Sequence, residues 1–184
     1  MLIQILFLKG RVKRLEAENK EMKAAIQEMK DKIPQLRPKC PFEWKITGIK
    51  EKMDEAIEAQ PEEGRISSET FYHLEKYKVQ LILYLNGHKC NCSHKKYISI
   101  FLKVVQGPDD NEIKWPMPYS NVTFEIGEKV MRQIDSCGNV FEKPISNGDE
   151  MMNGVHQFCK LDKISQEIKN DTLTIVVDIM GDEE

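Results

Sequence analysis

The sequence has little that would commit it to a membrane, to nucleic acid or to catalysis. Its apolar opening, MLIQILFLKGR, holds a run of about eight residues, against the ~20 that a spanning helix needs. No positive residue precedes that run and no small-residue cleavage site follows it, so neither a signal peptide nor membrane insertion is expected. Charge of one sign is also missing. With 27 Lys and Arg against 30 Asp and Glu, a net charge of -3 and a pI near 5.9, the chain lacks the basic excess that displaces phosphate counterions, and no nucleic-acid partner is expected. The five cysteines are an odd number without regular spacing. That suits reduced thiols in the cytoplasm better than a disulfide framework. Asn-x-Ser/Thr triplets at Asn91, Asn121 and Asn170 point the other way, but such triplets arise often by chance.

Catalytic and metal signatures are missing too. There is no phosphate-binding glycine loop, no HExxH and no close acid pair in a recognisable frame. His73, His88, His94 and His156 are scattered, and none is accompanied by a serine nucleophile elbow. Asp109, Asp110 and Glu112 fall in a turn, where Asp is favoured for its backbone hydrogen bonding. Cys90, Cys92 and His94 in CNCSH have no second half to complete four zinc ligands, so a plain loop is the reading. Cys137 and Cys159 are isolated, and buried structural thiols are expected. No catalytic residue, metal or cofactor is assigned.

What is present begins with a heptad rhythm. Ile5, Val12, Asn19, Ile26 and Ile33 fall at position a, and Leu8, Leu15, Met22 and Met29 at position d, over about four heptads. Arg11 would meet Glu16 and Glu18 would meet Lys23 across a parallel pair, so parallel self-association is favoured over an antiparallel hairpin. Asn19 would help fix register. The β-branched a positions lean toward dimers and leave a trimer open. The alternative is a single amphipathic helix packed on its own domain, although such helices carry a wider apolar stripe. Pro34 ends the heptads, and the proline-rich stretch to Pro41 places a domain boundary. The chain therefore divides into an oligomerisation helix over 1–33, a linker over 34–41 and a domain over 42–184.

The domain reads as strands. Phe42, Trp44 and Ile46 alternate with Glu43 and Lys45. The charged KEKMDEAIEAQPEEGR stretch that follows is a short helix or a loop. YKVQLILYLNG, from Tyr77 to Gly87, places Tyr77, Val79, Leu81, Leu83 and Leu85 on one face and ends in an Asn-Gly turn signal. Further strands are expected at 97–105, 121–126, 130–134, 155–159 and 172–179, with a helical turn at 160–167 and Phe141 as an anchor in a turn-rich stretch. Roughly eight short strands without alternating helices indicate an antiparallel sandwich.

These strands bring a family into view. FEWKITGI at Phe42, YKVQLILYLNG, YISIFLKVVQG at Tyr97, the Trp115-Pro116 element, NVTFEI at Asn121, FEKP at Phe141 and IKNDTLTIVVDI at Ile168, in this order, resemble the TRAF-C domain of the tumour necrosis factor receptor-associated factors, a branch of the MATH domains. The resemblance implies an all-β, eight-stranded antiparallel β-sandwich preceded by a coiled coil. It also implies a homotrimer and a cytoplasmic adaptor that is not an enzyme. Its partners would be peptides from receptor tails or signalling proteins. In the family the peptide pairs with a short edge strand, which maps here near Met152, Asn153, Gly154 and Val155. The relatives' arginine and tyrosine two apart on the strand before the LNG turn align with Ile82 and Tyr84. The acidic residue after LNG aligns with His88, and the serine cluster with Gly138, Asn139 and Val140. The resemblance thus leaves backbone pairing and an apolar surface of Ile82, Tyr84 and Phe101, with no arginine at position 82 to pair with a carboxylate. A structural self-assembly protein without a peptide site is the alternative.

Overall fold

A period of two in buried side chains, and its interruption at two bulges, organise the domain in a computed structural model. It describes residues 2–36, 40–60, 63–89, 95–127, 130–135, 141–145 and 151–181. The chain divides into two units, Met1–Arg37 and Pro38–Glu184.

The first unit is one helix, α1 (Leu2–Leu36), which carries Pro34 in its last turn. The Pro34 ring nitrogen has no N–H to give the carbonyl four residues back, so the end of the helix goes without that bond. Val12, Leu15, Met22, Ile26 and Met29 are all exposed, at 48–59%, and Arg14 pairs with Glu18 one turn on at 3.6 Å. From Val12 to Met29 the apolar stripe therefore lies open on a helix whose other residues there are mostly polar. The side chains of Ile5, Leu8 and Ile33 lie outside the described residues.

The second unit is an antiparallel sandwich. Its strands are β1 (Phe42–Thr47), β2 (Arg65–His73), β3 (Tyr77–Tyr84), β4 (Tyr97–Val104), β5 (Asn121–Ile126), β6 (Val130–Asp135), β7 (Met152–Lys160) and β8 (Thr172–Met180), with α2 (Ile49–Glu58) after β1 and α3 (Leu161–Ile164) after β7. One sheet has the order β1-β8-β5-β6 and the other β2-β3-β4-β7. The all-β sandwich expected from the sequence is thus the fold observed.

The core fills the space between the sheets. Tyr77, Val79, Leu81, Leu83 and Leu85 enter it from β3 and its end, and Ile98, Ile100, Leu102 and Val104 from β4, each 9% exposed or less. From the other sheet come Val122, Phe124, Ile126, Leu173, Ile175, Val177 and Ile179. Phe42 stacks on Phe71 at 4.2 Å between ring centroids, and Phe141 packs against Tyr119 at 5.2 Å. Burying each such side chain is worth about 1.5–3 kcal/mol.

Two details differ from the sequence reading. The Asn-Gly turn after β3 uses positive φ only at Gly87, at 78°. Asn86 is instead buried and donates its Nδ2 to the Ala56 carbonyl at 2.8 Å, tying the turn to α2. The second is β2, a strand in a stretch where none was expected. Its pairing with β3 slips between Ser67 and Thr70. The Ser68 hydroxyl fills the gap, accepting from the Leu81 amide at 3.0 Å and donating to the Glu69 carbonyl.

Candidate functional site

The outer face of the sheet β2-β3-β4-β7, away from the main core, carries the residues singled out in the sequence. Because side chains alternate, the strand that sends Leu81 and Leu83 inward sends Ile82 and Tyr84 outward. Phe101 sits directly across from Ile82 on β4. On β7, Met152 is paired with Lys103 and Gly154 with Phe101, which places both on this same face.

These residues do not form the open apolar surface expected of them. Ile82, Tyr84 and Phe101 are 0%, 1% and 4% exposed and make a second, small core with Met152 packed against it. The reason is a layer of polar rings and one cation resting on the aromatics. The His88 ring lies 5.0 Å from Tyr84 and 5.1 Å from Phe101. The His156 ring lies 5.0 Å from both Phe101 and His88. Tyr84 and Phe101 meet edge to face at 5.7 Å, a favourable quadrupole arrangement. The guanidinium carbon of Arg65 lies over the Tyr84 ring at 6.0 Å, within cation–π range.

Alternation alone carries His156 into this layer, two residues beyond Gly154. A bulge begins there: Ile98 pairs with Cys159 and Ile100 with Val155, so the single residue Ser99 of β4 faces three residues of β7, His156 to Phe158. Such an insertion re-aims side chains that a regular ladder would hold in alternation, and here Phe158 turns into the main core. The buried Ser99 hydroxyl closes the gap, donating to the His156 carbonyl at 2.5 Å and accepting from the His88 amide at 2.9 Å. One hydroxyl thus ties the backbones of both histidines together. Arg65 arrives by register alone, since it pairs across from Tyr84 at the start of β2. Neither His156 nor Arg65 stood out in the sequence: their neighbours come from other strands, and the strand that carries Arg65 was itself not read.

The edge strand has its own constraints. Among the described strands β7 pairs only with β4 and ends its sheet. The Val104 amide donates to the Met151 carbonyl. From that pair onward, antiparallel alternation turns the backbone groups of Met152 and Gly154 away from β4, toward the open edge. Asn153 and Val155 point their side chains inward. Asn153 bonds Tyr119, whose hydroxyl is pushed above its usual range by burial, an effect this bond partly offsets. Val155 packs on the main core. Gly154 is required for close approach: a Cβ there would strike the Ile100 carbonyl oxygen and come within 2.5 Å of the Phe101 Cα.

Chemically the face can present a fixed cation, two imidazoles and an unpaired strand edge, with no nucleophile and base aligned for turnover. Among the described residues no group of three or more His, Cys, Asp or Glu is placed to hold a metal ion, and no helix is long and apolar enough to cross a membrane. Cys90, Cys92 and His94, and the aligned Gly138, Asn139 and Val140, lie outside the described residues.

Comparison with known proteins agrees with this architecture. The MATH domain family matches residues 41–179. TNF receptor-associated factor 2 of Homo sapiens is 26% identical over 155 residues, covering 76% of this chain and 29% of that protein. The chain therefore spans under a third of that curated relative's length. Among solved structures, Notothenia coriiceps TRAF5 matches 98% of this chain and 95% of its own, with a TM-score of 0.67 at 17% identity, a likeness of fold.

Proposed function

We propose, from the premise that the chain belongs to the MATH domain family, that it is a self-associating cytoplasmic adaptor which recruits short peptides of receptor tails or signalling proteins. The peptide adds as a strand to the open edge of β7, using the backbone groups of Met152 and Gly154. Parallel pairing of α1, as a homotrimer, gathers several weak sites on one stalk, so that avidity exceeds the affinity of any one site. The observation that carries the reading is the terminal position of β7 in its sheet, beside the polar layer of His88, His156 and Arg65. The exposed stripe from Val12 to Met29 supports the stalk, since apolar side chains at strict a and d spacing are the seam of a coiled coil.

A second reading has one observation in its favour. Ile82, Tyr84 and Phe101 are buried beneath their own cover, as a sandwich that only spaces or ends a self-assembling stalk would require. Two measurements separate the readings. Light scattering on the full chain should give an oligomer that becomes monomeric when the residues before Pro34 are removed. A peptide array should give selective binders whose affinity falls when alternate peptide amides are N-methylated, which removes strand-pairing donors. An oligomer that binds no peptide favours the spacer, and a monomeric full-length chain refutes the stalk.

A further inference from the structure

Lysines gather where β4 begins and β7 ends. Lys95 and Lys96 lead into β4, and Tyr97, its first residue, pairs with Lys160, the last of β7. Directly opposite residues of an antiparallel pair share a face, so Tyr97 and Lys160 stand side by side. Two backbone bonds fix their neighbours: the Leu161 amide donates to the Lys96 carbonyl at 3.1 Å, and the Lys95 amide to the Asn86 carbonyl at 3.0 Å. Lys95 is held at a φ of 58°, a left-handed conformation that side-chain-bearing residues adopt rarely. Together Lys95, Lys96, Tyr97, Lys160, Leu161 and Asp162 line a recess of about 380 Å³, toward the small end of the ~300–1,000 Å³ of ligand clefts. Its charge is unbalanced. Three lysines share the lining with one carboxylate, that of Asp162, on a chain whose net charge is -3. Among the described residues none of the three is ion-paired with an acid. Cations gathered on a fixed backbone repel one another until an anion comes between them. The recess also has an apolar part, because Leu161 packs against the main core and Tyr97 is half-buried.

We propose that this recess is a binding site for a small organic phosphate, a phosphate monoester carried on a compact ring. Lysine is a point charge with rotatable donors, which suits a tetrahedral oxyanion, whereas the planar fork of a carboxylate is the match of arginine. Lys95, Lys96 and Lys160 each donate to a phosphate oxygen, and the dianion neutralises their mutual repulsion. The ring of the ligand rests on Tyr97 and Leu161. Asp162 is the one lining group that opposes the anion, so it limits affinity. The site is separate from the edge of β7 at Met152 to Val155 and stands whether or not that edge takes a peptide.

The test uses the full chain with phenyl phosphate and benzoate, which share a ring and differ in the anion, read by titration calorimetry at neutral pH and low salt. Wild type should bind phenyl phosphate about tenfold more tightly than benzoate. Lys160→Met keeps an unbranched stem and removes the charge, and it should weaken phenyl phosphate by about tenfold. Asp162→Asn should act in the opposite direction and tighten it by about threefold. Lys143→Met, at a lysine bonded to Asn111, should change neither ligand. All three positions are exposed, and thermal melts confirm that each variant is folded. A phosphotyrosyl peptide distinguishes the source of the phosphate: affinity equal to that of phenyl phosphate supports a small ligand, and binding more than about tenfold tighter overturns that assignment. No binding of phenyl phosphate by wild type overturns the site. So does unchanged affinity in Lys160→Met, or an equal loss in Lys143→Met, which would mark a diffuse effect of net charge.

Discussion

Replacing Gly154 with alanine adds one methyl group at the point where β7 comes nearest to β4. The added Cβ would meet the Ile100 carbonyl oxygen, the Phe101 Cα at 2.5 Å and the Ile100 carbonyl carbon at 2.9 Å. All three atoms are backbone, so no side-chain rotation relieves the overlap and the two strands must separate. Overpacking of this kind costs about 1–3 kcal/mol. Separation also weakens the ladder on either side of the Phe101–Gly154 pair, and about two bonds at ~0.5–1.5 kcal/mol each bring the loss to about 2–6 kcal/mol. For a chain of this size that lowers Tm by roughly 4–24 °C. Urea denaturation of Gly154→Ala beside wild type, followed by circular dichroism, measures it. Gly10→Ala is the control of opposite sign, because Gly10 has nothing within 4 Å and alanine in an exposed helix gains about 1 kcal/mol. Stability within about 0.5 kcal/mol of wild type for Gly154→Ala would refute the close approach and the strand register that implies it.

Stability should also depend on pH through His73, which burial holds below its usual 6.5 against the raising effects of the Pro118 carbonyl and Asp178. The unfolded chain then takes up the proton first, so this contribution is complete above 6.5 and is lost as pH falls toward the folded value. Urea titrations at descending pH should show the loss, and His73→Gln should remove that component. The Cys40 thiol is pushed up to about 12, chiefly by burial, so alkylation mapped by mass spectrometry should leave it unmodified at neutral pH until denaturant is added. Asn86→Ala leaves the Ala56 carbonyl without its donor at 2.8 Å and should cost about 1–3 kcal/mol in chemical denaturation.

Much of the fold was legible because burial alone dictates it. A strand that buries one face must alternate, so Tyr77 to Leu85 and Thr172 to Ile179 announced themselves, and every core residue read from β3 is in the core. The stretch that became β2 failed the same test for a physical reason. Its buried positions are Ser68 within the bulge and Phe71 and His73 after it, so the period changes parity midway and two of the buried residues are polar. The helix pattern was legible as a stripe, and the exposure of Val12 through Met29 fits it. The candidate site was only half legible. Ile82, Tyr84, His88 and Phe101 lie on or beside strands whose pattern was clear. Arg65 and His156 reach the same place through cross-strand register, which leaves no local trace. Local pattern also cannot tell an open apolar face from a closed one, which is why the surface expected at Ile82, Tyr84 and Phe101 proved to be a second core.

The isoleucine at 82 and the arginine at 65 are best understood as parts of one arrangement. At 0% exposure, between Phe101 and the start of β2, position 82 is closed to water, and a cation there would carry a desolvation cost of several kcal/mol unless it were fully paired. Isoleucine gains burial energy in the same space, about 1.5–3 kcal/mol, and its branched side chain suits the middle of a sheet. Closing that position lets Tyr84 and Phe101 meet edge to face, and their paired rings form the platform on which His88, His156 and Arg65 rest. A charge at the periphery of that platform keeps its contact with water and avoids that desolvation cost. Burial at the centre and charge at the rim follow from the same packing, and moving the cation back to the centre would sacrifice both.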